Sequence, residues 1–148
     1  VCSVSLAQDI HEGHDIFVHT ILQVLICKRC FTFYGDGKFS SDEDGCDKYC
    51  RWCGNGGTLF LCSACVCGFC KKCLNKNLKS SALADVQKDN WKCLICIPRP
   101  IFGSRTICWA ARELNSIGKE KKRLKLIEQR EKLRKMLEVK RKADEEKH

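Results

Sequence analysis

No hydrophobic run in the chain approaches the roughly 20 residues that a bilayer-spanning helix needs. The most apolar stretch, residues 21–26, is long enough only for a core strand. Proline occurs twice, at Pro98 and Pro100, and from residue 104 onward it is absent. Glycine in that stretch is limited to Gly118, so the spacing predicts a long helix with a break or bend near that residue. No acid/base constellation suggests hydrolytic or transfer catalysis, and the chain is read as non-enzymatic. It starts at Val1 with no methionine, which reads as an excised segment and makes a missing targeting sequence uninformative.

Charge of one sign is also scarce outside one region. The net charge is +9, yet residues 119–148 hold thirteen Lys/Arg against seven Asp/Glu and account for +6 of it. The basic character therefore belongs mainly to the C-terminal stretch. Asp42, Glu43, Asp44 and Asp47 form a local acidic cluster suited to cationic ligands, and residues 35–45 have turn composition and should be an exposed loop.

What the chain has in abundance is cysteine, fourteen in 148 residues. Four Cys-x-x-Cys pairs stand at Cys50/Cys53, Cys62/Cys65, Cys70/Cys73 and Cys93/Cys96. Two residues between thiolates let a tight knuckle point both sulfurs at one ion, and zinc takes four such ligands in a closed tetrahedron. Repeated pairs of this kind and a Lys-rich composition favour metal over a secreted disulfide framework.

Two folds interleave eight ligands so that the first and third pairs share one ion and the second and fourth share another: the PHD finger and the RING. Four residues lie between Cys65 and Cys70, Trp91 stands two places before Cys93, and no histidine is among the eight. These details favour the PHD finger. Cys50, Cys53, Cys70 and Cys73 then hold one zinc, and Cys62, Cys65, Cys93 and Cys96 the other. Cys67 is left as a spare thiol, since using it would orphan Cys73.

Upstream, the apolar run at residues 21–26 leads into a further pair, Cys27/Cys30, as a strand feeding a knuckle. Residues 58–61 (TLFL) form a second short strand, residues 75–86 are helix-compatible, and Ile107, Trp109, Ala110, Ala111, Leu114 and Ile117 supply a stripe for packing on the zinc core. The later apolar residues hold no strict heptad, so a solvated helix fraying toward His148 is expected.

The order LQVLICKRC, an acidic loop, CRWCGNGG, FCKKC and WKCLIC resembles the ADD domain family of chromatin remodellers and de novo DNA methyltransferases, the remodeller form being the nearer. The resemblance covers roughly residues 2–117. It implies a small zinc-stabilised α+β fold, with a GATA-like finger and acidic loop over residues 1–49, a PHD-type finger over 50–100 and a long C-terminal helix with its basic tail over 101–148. It implies three zinc ions, a nuclear, chromatin-associated protein, and the histone H3 N-terminal tail as partner. The N-terminal finger departs from the family, because Cys2 is followed at Ser5 by serine where a second thiolate belongs. Cys2, Cys27 and Cys30 are the expected ligands, and the fourth is open among His11, His14, a water and a cysteine preceding Val1.

A reader of a basic tail needs acids, a strand edge and, for methylated lysine, an aromatic cage. Asp42, Asp44 and Asp47 are the expected acids, and Thr58, Leu59, Phe60 and Leu61 the expected edge. Phe33 and Tyr34 occupy the segment that, by the resemblance, receives trimethylated lysine, and Tyr49 completes the cage. Lys48 stands where the family pattern has an acid for the tail's unmodified fourth lysine. The expected function is recognition of an H3 tail trimethylated at its ninth lysine and unmodified at its fourth, by a monomer, with further DNA or nucleosome contact through the basic tail. The alternatives are a RING-like ubiquitin ligase module and a DNA-binding zinc finger.

Overall fold

In the computed structural model, which describes residues 2 and 4–147, two of the zinc-type knuckles also start a helix. Helix α2 (Lys28–Tyr34) has Cys27 as its N-cap, in extended backbone, with its sulfur accepting the Cys30 N–H at 3.4 Å. Helix α3 (Lys71–Asn77) repeats the device, Cys70 accepting the Cys73 N–H at 3.4 Å. A sulfur thus does the work of the oxygen caps that helices usually use.

Ahead of α2, the short helix α1 (Ala7–His11) is followed by strands β1 (Phe17–Val18) and β2 (Leu25–Ile26), paired antiparallel with Phe17 opposite Ile26. The strand expected over residues 21–26 is therefore shortened to its last two residues. The physical cause is His19, whose Nδ1 accepts the N–H groups of Ile21 (3.2 Å) and Leu22 (3.1 Å) and curls the chain into a turn. Gln23 completes that turn at φ 58°. Leu22 and Val24 nevertheless reach the core, through the turn rather than along a strand.

Strands β3 (Leu59–Leu61) and β4 (Gly68–Cys70) form a second antiparallel pair, with Phe60 opposite Phe69. Thr58 lies just outside it. The helical stretch expected over residues 75–86 divides into α3 and α4 (Ser80–Val86), broken where Leu78 turns extended and buries its side chain. Leu22, Val24, Trp52, Phe69, Leu74, Trp91, Leu94 and Ile101 belong to one core, so residues on both sides of positions 49/50 and 100/101 pack together. Trp91 meets Phe69 edge to face at 6.3 Å, the core role its place before Cys93 predicts.

A 3-10 turn (Arg99–Ile101) leads into helix α5 (Phe102–Glu145), which runs through Gly118 without a break. That glycine serves close approach instead. A Cβ there would lie 2.7 Å from the His11 carbonyl oxygen and 3.0 Å from the Gly13 nitrogen. The face that packs on the fold is Cys108, Ala111 and Asn115; of the expected stripe Ala111 is buried and Ala110 half-buried, whereas Ile107, Trp109, Leu114 and Ile117 are exposed. Small side chains let the helix come close enough for Asn115 Nδ2 to donate to the His14 oxygen at 2.7 Å and Arg105 Nε to the Leu22 oxygen at 2.8 Å. From residue 119 to residue 147 every described side chain is exposed. The fraying expected toward His148 lies outside the described residues at its end.

Candidate metal centres and peptide-binding surface

The knuckles bring the sulfurs together as the spacing predicts. Cys50, Cys53, Cys70 and Cys73 form one group and Cys62, Cys65, Cys93 and Cys96 another, each with its sulfurs within 4.8 Å of one another. All fourteen cysteines are free of disulfides. Backbone N–H groups converge on the sulfurs: Trp52 and Cys70 on Cys50 (3.4 and 3.2 Å), and Ala64 and Cys93 on Cys62 (3.3 and 3.1 Å). Such donors suit thiolates.

The protons of the first group show why a cation belongs there. Hydrogen bonds from Cys50 and then Cys73 hold the Cys53 thiol far below its ordinary range, while the bond to Cys53 pushes Cys50 up to about 12. One sulfur ionises at the expense of its neighbours unless a divalent ion compensates all four. In the second group, burial opposes ionisation of Cys62, but the N–H donors of Cys93 and Ala64 outweigh it and bring that thiol to about 6. Cys67 belongs to neither group, and burial followed by its bond to Cys65 pushes it up to about 12. Soft, closed, four-sulfur donor sets fit zinc, which supplies folding free energy here and no reaction.

The N-terminal centre gathers three sulfurs, Cys2, Cys27 and Cys30, with Cys2 and Cys27 3.3 Å apart. The Val4 N–H and the Cys27 thiol draw Cys2 down to about 7. Among the described residues no histidine joins them. His14 instead faces Asp9 (3.0 Å) and Glu12 (3.3 Å), and His11 is an exposed residue at the end of α1. Cys-based donors fit zinc here too, making three zinc centres among the described residues.

Two of the residues expected to bind a cationic tail are structural. Tyr34 is 3% exposed, donates its hydroxyl to the Arg51 oxygen at 2.9 Å and packs on His19 at 4.5 Å, so its ring is core. Asp47 is buried too: it is paired with the Arg51 guanidinium, and its Oδ2 also accepts the Gly68 N–H at 3.1 Å. Both oxygens are engaged by groups of the fold itself. Asp42 Oδ1 accepts the N–H groups of Asp44 (3.0 Å) and Cys46 (2.8 Å), which closes the loop turn. Asp44 and Lys48 are exposed.

Around Gly54, three aromatic residues do converge. A Cβ on Gly54, whose φ is 76°, would meet Phe39 at 3.0 Å, Tyr34 at 3.5 Å and Phe33 at 3.6 Å. Phe39 stacks obliquely on Tyr49 at 5.7 Å, and Tyr49 lies against Gly56. Phe33 is 63% exposed and Tyr49 37%. Phe39 escaped the sequence reading because it sits in a loop of turn composition; its only signal was being an aromatic in an otherwise polar run.

The strand surface is one-sided. β4 lies between β3 and the chain at residues 47–51, where Asp47 N–H donates to the Val66 oxygen (2.9 Å) and Arg51 N–H to the Gly68 oxygen (2.8 Å). Among the described residues the outer edge of β3 has no strand partner, and Leu61 beside it is half exposed.

Comparison with known proteins agrees with this architecture. The family model described as the cysteine-rich ADD domain matches residues 2–43. Transcriptional regulator ATRX of Homo sapiens is 43% identical over 99 residues, 66% of this chain, and the chain spans about 4% of that protein's length. Transcriptional regulator ATRY of Notamacropus eugenii is 33% identical over 99 residues, which are 66% of this chain and 80% of ATRY. DNA (cytosine-5)-methyltransferase 3-like of Homo sapiens is 30% identical over 101 residues, 66% of this chain and 24% of that protein. With its three thiolate centres, its cross-braced finger and these relatives, the chain belongs to the ADD domain family, as an ATRX-like member.

Proposed function

We propose that this module binds the N-terminal tail of histone H3 and prefers it trimethylated at the ninth lysine. As an ADD domain it is a non-catalytic reader module of a family found in chromatin and transcription regulators, a nuclear setting. The observation that carries the reading is the exposed aromatic pair Phe33 and Tyr49, backed by Phe39, on either side of the turn that starts at Gly54. Aromatic faces attract a quaternary ammonium, and each ring is worth about 0.5–2 kcal/mol. Gly54 leaves the floor of that site without a side chain.

The free edge of β3 supports the same reading, since an extended peptide can add to it as a third strand through main-chain hydrogen bonds. Thr58, Leu59, Phe60 and Leu61 then form the peptide's docking line. Asp44 is the exposed carboxylate left among the three expected acids for a tail cation. Lys48 opposes an unmodified fourth lysine, so discrimination at that position is weaker than at the ninth.

Titration of H3 tail peptides in every methylation state tests the reading. Phe33→Ala and Tyr49→Ala should each lower affinity for the trimethylated peptide by about two- to thirty-fold, the equivalent of 0.5–2 kcal/mol at about 1.4 kcal/mol per decade. Affinity for the unmodified peptide should change much less. Equal affinity of the unaltered domain for all methylation states would refute the preference, and no binding of any H3 peptide would refute the partner.

A further inference from the structure

Past Gly118, helix α5 carries a stripe of apolar side chains that the fold leaves uncovered. Leu126, Leu133, Met136 and Leu137 are each at least half exposed. At 3.6 residues per turn, positions 18 apart stand above one another. Leu126 therefore lies above Cys108, Leu133 above Asn115 and Met136 above Gly118, so the stripe continues the side of the helix that packs on the body.

The charges of this rod are sorted about the stripe. Residues 119–142 hold twelve Lys/Arg against four Glu, a net +8. All four glutamates fall on the other half of the helix, and Glu120, Glu128 and Glu138 are paired with Arg123, Lys132 and Lys142. Lys122, Arg130 and Lys140 border the stripe and have no ion-pair partner among the described residues. An apolar stripe edged by free cations is the face that an amphipathic helix offers to a surface both anionic and apolar.

Duplex DNA has phosphates for the cations but leaves the four apolar side chains in water. A second copy of the stripe would set cation against cation. An anionic bilayer offers both charge and apolar depth. The body, however, projects from the same side of α5, so a flat membrane meets the fold before it can lie along the stripe. A protein groove with an apolar floor and an acidic rim satisfies both demands and clasps the rod locally, over anchors spaced i, i+7 and i+11.

We propose that residues 119–142 are a docking helix for an acidic protein with a methionine-rich groove, of the EF-hand sensor class that opens on binding calcium. Leu126, Leu133 and Leu137 enter the groove, and Lys122, Arg130 and Lys140 meet its carboxylates. The docked partner covers the cations that would attract DNA, so calcium would weaken nucleosome contact through the rod. The knuckles and the β3 edge stay free, and the inference stands apart from the proposed histone recognition.

The test titrates the zinc-loaded 148-residue chain with calmodulin, the probe for this class, by calorimetry. Calcium-free calmodulin is dialysed clear of chelator so that the zinc stays in place. With calcium, a one-to-one complex of micromolar or tighter dissociation constant is expected, and without it binding at least about tenfold weaker. The double variant Leu126→Gln, Leu133→Gln should weaken the calcium complex at least about tenfold. Leu124→Gln with Ile127→Gln, on the glutamate side, should change it by less than about threefold. All four positions are exposed and glutamine keeps helix propensity, so both variants should retain the zinc content and helicity of the unaltered chain.

No saturable binding of calcium-loaded calmodulin would overturn the proposal, as would equal affinity with and without calcium or equal losses in the two double variants. Tighter binding to phosphatidylcholine/phosphatidylserine vesicles than to calmodulin would assign the stripe to a membrane instead. Sedimentation of the chain alone as a dimer that Leu126→Gln, Leu133→Gln dissociates would assign it to a second copy. Loss of duplex DNA binding in that variant as large as its loss of calmodulin binding would assign it to DNA.

Discussion

His19 ties together backbone segments far apart in the chain. Its ring accepts two backbone N–H groups at Nδ1 and donates from Nε2 to the Trp52 oxygen at 2.8 Å, tying the N-terminal finger to the PHD-type finger. Only the neutral ring can do this, and burial lowers its pKa below the ordinary 6.5. Because the folded-state pKa lies below the unfolded one, the stability from His19 is complete above about pH 6.5 and is lost as pH falls below it. Thermal unfolding of the zinc-loaded protein and of His19→Gln should therefore differ most near pH 7.5 and converge toward pH 5.5. A constant difference across that range would show that His19 acts by packing alone.

Asp47 and Tyr34 carry a second lesson at the same scale. Both were expected on the binding surface, and both are interior groups whose removal should cost stability. Asp47→Asn leaves the buried Arg51 guanidinium, whose side chain is 14% exposed, without its counter-charge, for a loss of about 3–5 kcal/mol. Tyr34→Ala should cost about 3–5 kcal/mol by cavity formation. Urea titration with zinc saturating reads both losses. A Tyr34→Ala protein of unchanged stability that had lost only its methylation preference would return Tyr34 to the cage.

Among the elements, helix α5 is held by what it lacks. Cys108, Ala111 and Gly118 offer little bulk, and that absence allows the helix backbone to approach His11 and Gly13. Gly118→Ala gains about 1 kcal/mol of helix propensity but forces a methyl group into backbone atoms, which typically costs about 1–3 kcal/mol. A lower melting temperature is the expected net result, and a raised one would mean that α1 yields freely. The metal centres differ as elements too. The three-sulfur centre should lose its ion to a chelator first, with one zinc released before the other two, and complete chelation should unfold the chain.

The whole molecule divides into a packed body and a protruding rod. Past Gly118, α5 continues for about 27 residues, or about 40 Å at 1.5 Å per residue, with all its described side chains in solvent. Ion pairs such as Glu128–Lys132 at 2.7 Å and Glu138–Lys142 at 3.3 Å brace it at i,i+4 spacing. Its net positive charge should add salt-sensitive affinity for DNA or nucleosomes. Truncation after Gly118 should lower nucleosome binding at low salt while leaving affinity for a short H3 peptide within about threefold, under ~0.7 kcal/mol. If truncation abolished peptide binding by a folded domain, the rod would belong to the recognition surface.

The metal centres were legible in the residue order because a Cys-x-x-Cys knuckle is a local device: two sulfurs and their capping N–H groups lie within four residues, and each knuckle forms much as its neighbours do. The pairing of the first knuckle with the third and the second with the fourth, the core place of Trp91 and the spare thiol Cys67 followed from the spacing once it was matched to the cross-brace of a PHD finger. What spacing could not decide was which face each side chain would present. Hydropathy chose Ile107, Trp109, Leu114 and Ile117 for the buried face of α5, but the distance of closest approach to α1 chose the small residues instead. The family resemblance put Tyr34, and the acidic run put Asp47, on the binding surface, whereas Arg51, reaching both from the PHD-type finger, drew them inward. Those outcomes depend on contacts between segments far apart in the chain, which exist only once the two fingers and the helix have packed together.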